Sequence, residues 1–360
     1  MRKNEKWQAG EGRKQRAGSI RLWCKRISLG LLGALILFGG ISYAVAVWYQ
    51  HRHSGQEQQL GTTFVASYAR SLGLDPKETF TAIVDDLDVK HLRLVSYWSE
   101  IEAEKGEYDF SELDWQMEQA AEKGVTVSLA IGLRQPRWPE CHAPKWVDIA
   151  QPRSSWQPAL ETFMQTVVNR YKTSAALQSY QLENEYFLRG FGICPDSSRE
   201  RLVREYQLVK QLDSRHPVIV SRSNNAHGVP MGDPRPDYSA LSVYRRTWEH
   251  RYLKDYITYP FPSWYYSALL GWSQIFTGRD SIVHELQCEP WTPNGQTIPQ
   301  TSLAEQNKSF DAKRFRDTVA FAKQIGAPQI YLWGSEYWYY RATTLHDPSV
   351  WTEAQTVFKQ

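Results

Sequence analysis

Residues 91–132 read HLRLVSYWSEIEAEKGEYDFSELDWQMEQAAEKGVTVSLAIG. The stretch opens on a short apolar run, His91–Tyr97, and closes on another, Thr126–Gly132, both of strand length. Between them Ser111–Lys123 has helical spacing, and Gly124 follows as a stop signal. The same alternation continues outward. Further strands are predicted near Gly61–Ser67, Gln178–Leu182, Pro217–Ser221, Ser239–Tyr244, Ser281–Leu286 and Gln329–Trp333. Helices are predicted at Lys77–Leu87, Ala159–Tyr171, Ser198–Leu212, within Tyr265–Ile275, at Asp311–Ile325 and at Thr352–Phe358, with the link between strands five and six too short for one. Eight strands with mostly helical crossovers predict an α/β fold of the (β/α)8 TIM barrel type, for which ~250 residues is typical. A doubly wound open sheet is the alternative. It would commonly carry a Gly-rich first turn, and neither GxGxxG nor GxxxxGK[ST] occurs.

The barrel is predicted to occupy residues 61–360 as one domain. Of the 360 residues, 42% are apolar, enough for a large core and too many for a disordered chain. The net charge of +3 gives no reason to expect a nucleic-acid partner. Its distribution says more: residues 1–26 carry nine Lys/Arg against Glu5 and Glu11 only. Ile27–Tyr49 then runs 23 residues without a charge, long enough to cross ~30 Å of hydrocarbon. A basic cytoplasmic tail (1–26), a transmembrane signal anchor (27–49), a tether (50–60) and an extracytoplasmic domain follow, with Trp48 and Tyr49 at the outer interface. Ala44-Val45-Ala46 leaves cleavage open, although the apolar stretch exceeds a usual signal-peptide core. Cys24 falls on the cytoplasmic side. Cys141, Cys194 and Cys288 fall where disulfides form, and Cys141 with Cys194 is the expected pair, both lying in adjacent loops of the proposed barrel.

In such a barrel, chemistry belongs at the C-terminal ends of the strands. Strand four ends in Gln181-Leu182-Glu183-Asn184-Glu185, and strand seven contains His284-Glu285-Leu286. Two carboxyls around one mouth are the apparatus of glycoside cleavage, one protonating the leaving oxygen and the other attacking or activating water. The chain holds 15 Trp and 20 Tyr, rings that suit stacking on sugar faces. Arg134, Arg137, Trp138 and His142 after strand three, Trp248 after strand six and Trp291 after strand seven are placed along the expected sugar path. The aromatic segment Arg245–Arg279 reads either as a substrate-covering insertion or as a lipid-surface patch. Two rival functions stay open: a metal-dependent hydrolase drawing on His142, Glu185, His284 and Glu285, and an inactive barrel that binds glycans or a partner at the envelope. No HExxH or GxSxG is present.

Several of these residues also resemble a known group. Arg93 in His91-Leu92-Arg93-Leu94, the run from Trp98 through Ile101-Glu102, Gly106, Tyr108-Asp109-Phe110 and Leu113-Asp114, then Asn184-Glu185, Glu285 and Trp333, resemble the clan A glycoside hydrolases. The resemblance implies a retaining double displacement on β-linked oligo- or polysaccharides, without metal or organic cofactor. It makes Glu185 the acid/base and Glu285 the nucleophile. Asn184 would bond the sugar 2-hydroxyl, Tyr244 would hydrogen-bond the nucleophile, Arg93 would keep it ionised, and Trp333 would floor the subsite. Two departures stand out: Tyr186 follows Asn-Glu where many members have Pro, and Glu289 is a second carboxylate near the nucleophile position. Glu285 is preferred because it sits within the apolar strand, whereas Pro290 follows Glu289 and should break one.

Overall fold

A computed structural model describes residues 2–223 and 232–359; the side chains of residues 2–22 and of Cys24 lie outside the description. The chain begins with helix α1 (Arg2–Arg52) and continues through β1 (Gln59–Thr63), α2 (Ala66–Ser71), α3 (Pro76–Thr81), β2 (His91–Val95), α4 (Trp98–Ile101) and α5 (Ser111–Glu122). Next come β3 (Thr126–Ile131), α6 (Gln157–Tyr171), β4 (Leu177–Leu182), α7 (Arg199–Leu212), β5 (Val218–Arg222) and β6 (Tyr238–Val243). An antiparallel hairpin, β7 (Arg246–Glu249) and β8 (Asp255–Thr258), precedes α8 (Ser263–Thr277) and β9 (Ser281–Gln287). The chain closes with α9 (Leu303–Ser309), α10 (Ala312–Lys323), β10 (Gln329–Trp333), α11 (Ser335–Thr343) and α12 (Ser349–Phe358).

The strands β1, β2, β3, β4, β5, β6, β9 and β10 pair in parallel and close on themselves, as the sequence predicts. Each strand divides its residues between two cores. In β2, Leu92 and Leu94 face the outer helical layer, while Arg93 turns inward. Helix α5 packs on the next strand, β3, buries Leu113, Met117 and Ala120, spaced as one helical face, and ends where Gly124 takes a left-handed φ of 67°. Burying Leu113 and Met117 stabilises the layer by about 2 kcal/mol each. Inside the barrel a small apolar plug of Ile219, Ala240, Ile282 and Tyr331 closes the lower part, and the polar residues lie above it.

Three boundaries differ from the sequence reading. The first strand begins at Gln59 and ends at Thr63, with Ala66 already helical, rather than spanning Gly61–Ser67. The strand position at residue 61 takes glycine because a Cβ would lie 2.6 Å from the His91 carbonyl and 2.8 Å from the Tyr331 ring. The tether expected at 50–60 is shorter: α1 runs on through Arg52, and Gln59 already pairs with Gln329. The link between β5 and β6 falls largely outside the described residues. The hairpin and helices α2, α4, α9 and α11 had no sequence signal strong enough to be predicted.

Candidate active site

Glu285 reaches the barrel mouth through a break in register. Along β6, Leu241 pairs with Val283 but Ser242 pairs with Glu285, so His284 is an extra residue, a β-bulge. Ile282 points into the barrel and Val283 outward; strict alternation would then send Glu285 outward. The extra residue turns it inward. There Oε1 accepts from Arg93 Nη2 at 2.8 Å and Oε2 from the Tyr244 hydroxyl at 2.9 Å. Arg93 is fully buried and is held by Thr63 Oγ1 at 2.9 Å and Gln181 Oε1 at 3.1 Å. Its guanidinium also lies 5.3 Å from the Trp333 ring.

Glu185 leaves the end of β4 through a strained turn in which Glu183 and Glu185 have φ of 55° and 41°. Hydrogen bonds compensate. Glu183 accepts from the backbone N–H of Leu133 (2.6 Å) and Arg134 (3.0 Å) and from Arg201, while Ser221 accepts the Glu185 N–H at 2.9 Å. The Glu185 carboxyl is only 5% exposed, and burial, reinforced by the negative charge of Glu285, raises its pKa to about 7. Asn184 is buried beside it. Its carbonyl accepts from Gln181 Nε2 at 2.9 Å, and its amide donates to Glu140 at 3.1 Å.

Glu289 has a different setting. Strand β9 stops at Gln287, and beyond it Glu289 accepts two bonds from Arg137 (2.9 and 3.1 Å), one from Trp333 Nε1 (2.7 Å) and one from the Tyr68 hydroxyl (3.2 Å). Four donors hold it. The Arg137 guanidinium is itself placed against the rings of Tyr68 and Trp333, at 3.2 and 4.1 Å from their centroids.

A cleft of about 750 Å³ joins these groups and is lined by Glu185, Glu285, Tyr244, Trp291, Trp333 and Trp138, among others. Trp138, 63% exposed, stands at its rim with Phe191 as an edge-on neighbour. The disulfide Cys141–Cys194 ties together the loops after β3 and β4, its Cα atoms 5.4 Å apart. His142 stacks on Tyr97, and burial lowers its pKa to about 4. Arg134 donates to the carbonyls of Leu188 and Phe191 and so braces the loop rather than facing the cleft. The aromatic segment Arg245–Arg279 splits in two: Trp248, Glu249, His250, Ile257 and Tyr259, on and beside the hairpin, line the cleft, and α8 packs on α1. Among the described residues no three His, Cys, Asp or Glu side chains gather as a metal-ligand set.

Residues 77–220, which include Arg93, Asn184 and Glu185, match the model of glycoside hydrolase family 42, described as beta-galactosidase. The barrel has the clan A glycoside hydrolase fold. Solved structures similar to it include the exo-beta-1,4-mannosidase Op5Man5 from Opitutaceae bacterium strain TAV5, with TM-score 0.50 and 15% identity over 78% of this chain and 54% of that one. A mutant of Xylanase10C from Cellvibrio japonicus in complex with xylopentaose gives TM-score 0.54 and 15% identity, over 84% of this chain and 64% of that one. GH5_18 from Streptomyces cattleya in complex with GlcNAc gives TM-score 0.53 and 11% identity over 78% of this chain and 71% of that one. This chain spans about half the length of the mannosidase.

In this barrel the five residues expected around the cut bond, Arg93, Asn184, Glu185, Tyr244 and Glu285, lie near one another. Sequence reasoning missed Glu140. Its carboxyl is buried between Arg134 (3.4 Å) and Asn184, and burial pushes its pKa well up. The one signal pointing to it was its place beside Cys141 in a loop after a barrel strand. Tyr68 and Glu336 were also missed, because they reach the site from helices α2 and α11.

Proposed function

We propose that this chain is a retaining glycoside hydrolase that cleaves β-linked glycans by double displacement. Glu185 protonates the leaving oxygen and later deprotonates water; Glu285 attacks the anomeric carbon and forms the covalent glycosyl-enzyme. The observation that carries the reading is the contrast between the two carboxyls. Glu185 is buried with a pKa raised to about 7, suited to an acid that must hold its proton near neutrality. Glu285 instead accepts from the Arg93 guanidinium at 2.8 Å and from the Tyr244 hydroxyl at 2.9 Å, two donors that fix its carboxyl oxygens toward the cleft. Asn184 has an amide hydrogen left for a sugar hydroxyl, Trp333 floors the subsite, and Trp138 stacks at the rim. The reading is also supported by the family 42 match over the Glu185 half of the site.

We further read α1 as a membrane anchor with its basic end in the cytoplasm and the barrel outside. Its Lys25–Arg52 part is long and apolar enough to cross a membrane.

The test is mass spectrometry after incubation with a panel of 2-fluoro glycosides, which trap glycosyl-enzymes. A stoichiometric adduct on Glu285, absent in Glu285→Gln and retained in Glu289→Gln, is expected. Persistence of the adduct in Glu285→Gln would move the nucleophile to Glu289. No adduct from folded protein across the panel would favour the glycan-binding reading.

A further inference from the structure

Helix α8 is unlike the other long helices around the barrel. Its sequence, SWYYSALLGWSQIFT, contains no charged residue, whereas α5, α6, α7, α10 and α12 all carry charges on their outer faces. A helix facing water on the outside of a barrel is ordinarily amphipathic with a charged outer side. Part of the uncharged surface is covered by α1. Ser42, Ala46 and Tyr49 form a buried stripe at helical spacing, while Leu29 to Phe38 on the same helix are exposed. The two helices meet at small residues. A Cβ on Gly271 would lie 2.7 Å from Val45 Cγ1, and Gln50 Nε2 donates to Ser267 Oγ at 2.9 Å. Trp272 Nε1 donates to Ser42 Oγ at 3.3 Å, and Tyr43 meets Trp264 edge-on.

The remaining part of α8 is open. Ile275 and Phe276 are 49% and 60% exposed in its last turn, and the Phe276 ring stacks on Trp272, 5.5 Å away. The position of α1 sets their depth. A hydrocarbon layer of ~30 Å starting after Arg26 takes ~20 residues at ~1.5 Å each and ends near residue 46. A tilt of ~20° moves that boundary outward by a residue or two. Ser42 and Val45, the residues that touch Trp272 and Gly271, therefore lie inside the outer edge of the layer. Helix α8 cannot touch them without entering it.

We propose that α8 is a second membrane-contacting helix, with Trp272, Ile275 and Phe276 set into the outer interfacial layer of the bilayer that α1 spans, so that the barrel is seated on the membrane rather than swinging on a tether. The proposal rests on α1 being a membrane span. Its occupant is the lipid itself, because the exposed face of α8 continues the lipid-facing surface of α1. Interfacial helices sit ~5–10 Å into the headgroup boundary, the depth that the contact with Ser42 sets here. The short segment between Arg52 and Gln59 agrees with a fixed seat, since His53 and Gln58 are already bonded to the barrel or to α1.

The experiment uses the full chain carrying Cys24→Ser, reconstituted in phosphatidylcholine vesicles. A polarity-sensitive fluorophore is attached to Phe276→Cys, to Leu35→Cys in mid-α1, or to Glu118→Cys on α5 across the barrel; Cys288 is buried and Cys141–Cys194 is paired, so neither takes label. Lipids with a nitroxide high on the acyl chain should quench the Phe276 label by roughly half and leave the Glu118 label unaffected. Nitroxide near the chain end should quench the Leu35 label. Quenching at Leu35 without quenching at Phe276 overturns the inference alone. A blue-shifted but unquenched Phe276 label, as burial against a second copy of the chain would give, overturns it as well. No quenching at either position overturns the anchor and the seat together.

Discussion

Replacing Glu185 by Gln should make the protein more stable in a pH-dependent way while disabling it. The folded carboxyl titrates at about 7 against a reference of 4.5, mainly because it is buried and next because Glu285 is negative. The folded state therefore binds this proton more tightly than the unfolded chain does. Its contribution to stability is fully present below pH 4.5, declines as the pH rises, and is gone above 7. A shift of this size corresponds to about 3 kcal/mol lost at high pH. Glutamine fits the same space and does not titrate. The stability advantage of Glu185→Gln should thus grow by about 2.5 kcal/mol between pH ~5 and pH ~8.5, or about 4 °C in Tm for a barrel of ~300 residues. Thermal unfolding of both proteins in the same buffers measures it, and titrating groups that do not interact with Glu185 cancel in the difference. An advantage that stays constant with pH would refute the raised pKa and, with it, the argument for Glu185 as the proton donor. The same variant should lose cleavage of substrates with poor leaving groups and retain far more on activated aryl glycosides. In the unmodified protein the proposed activity should have an alkaline limb near pH 7, as Glu185 loses its proton.

Two other outcomes are expected. Tyr244→Phe removes one of the two donors to Glu285 and should lower kcat by roughly 10²-fold or more, with KM little changed; an unchanged kcat would show that Arg93 alone suffices. Cys141→Ser with Cys194→Ser opens a loop of 53 residues, with an expected cost of about 4 kcal/mol measured by urea unfolding, and it should loosen the Glu140–Asn184 contact enough to raise KM.

The alternation in residues 91–132 was enough to identify a strand, a helix and a second strand, because apolar period and a Gly stop are local properties of the chain. Repeated along the sequence, that alternation led to eight parallel strands, and strand ends that carry Arg93, Glu185 and Trp333 pointed to the mouth of a barrel. Gly61 falls in the first strand as expected, but the strand's ends were misplaced, and the reason for a glycine there, the ring of Tyr331, is 270 residues away. The hairpin Arg246–Thr258 was equally illegible: its turn has no Gly or Asn, and its rings pack on the cleft rather than on one another alone.

What the sequence by itself determined is the set of residue types, their order, and the position of most strands and helices, all of which follow from patterns within a few residues. What only the tertiary structure decided is where the chemistry points. Glu285 faces the cleft because His284 is bulged against β6, a register between two strands that no local pattern encodes. Glu289 is held in four hydrogen bonds by residues from three other parts of the chain, and α1 meets α8 through Ser42, Val45 and Gly271. Register, partner choice and helix docking are set by distant surfaces fitting together, and they exist only once the chain has closed on itself.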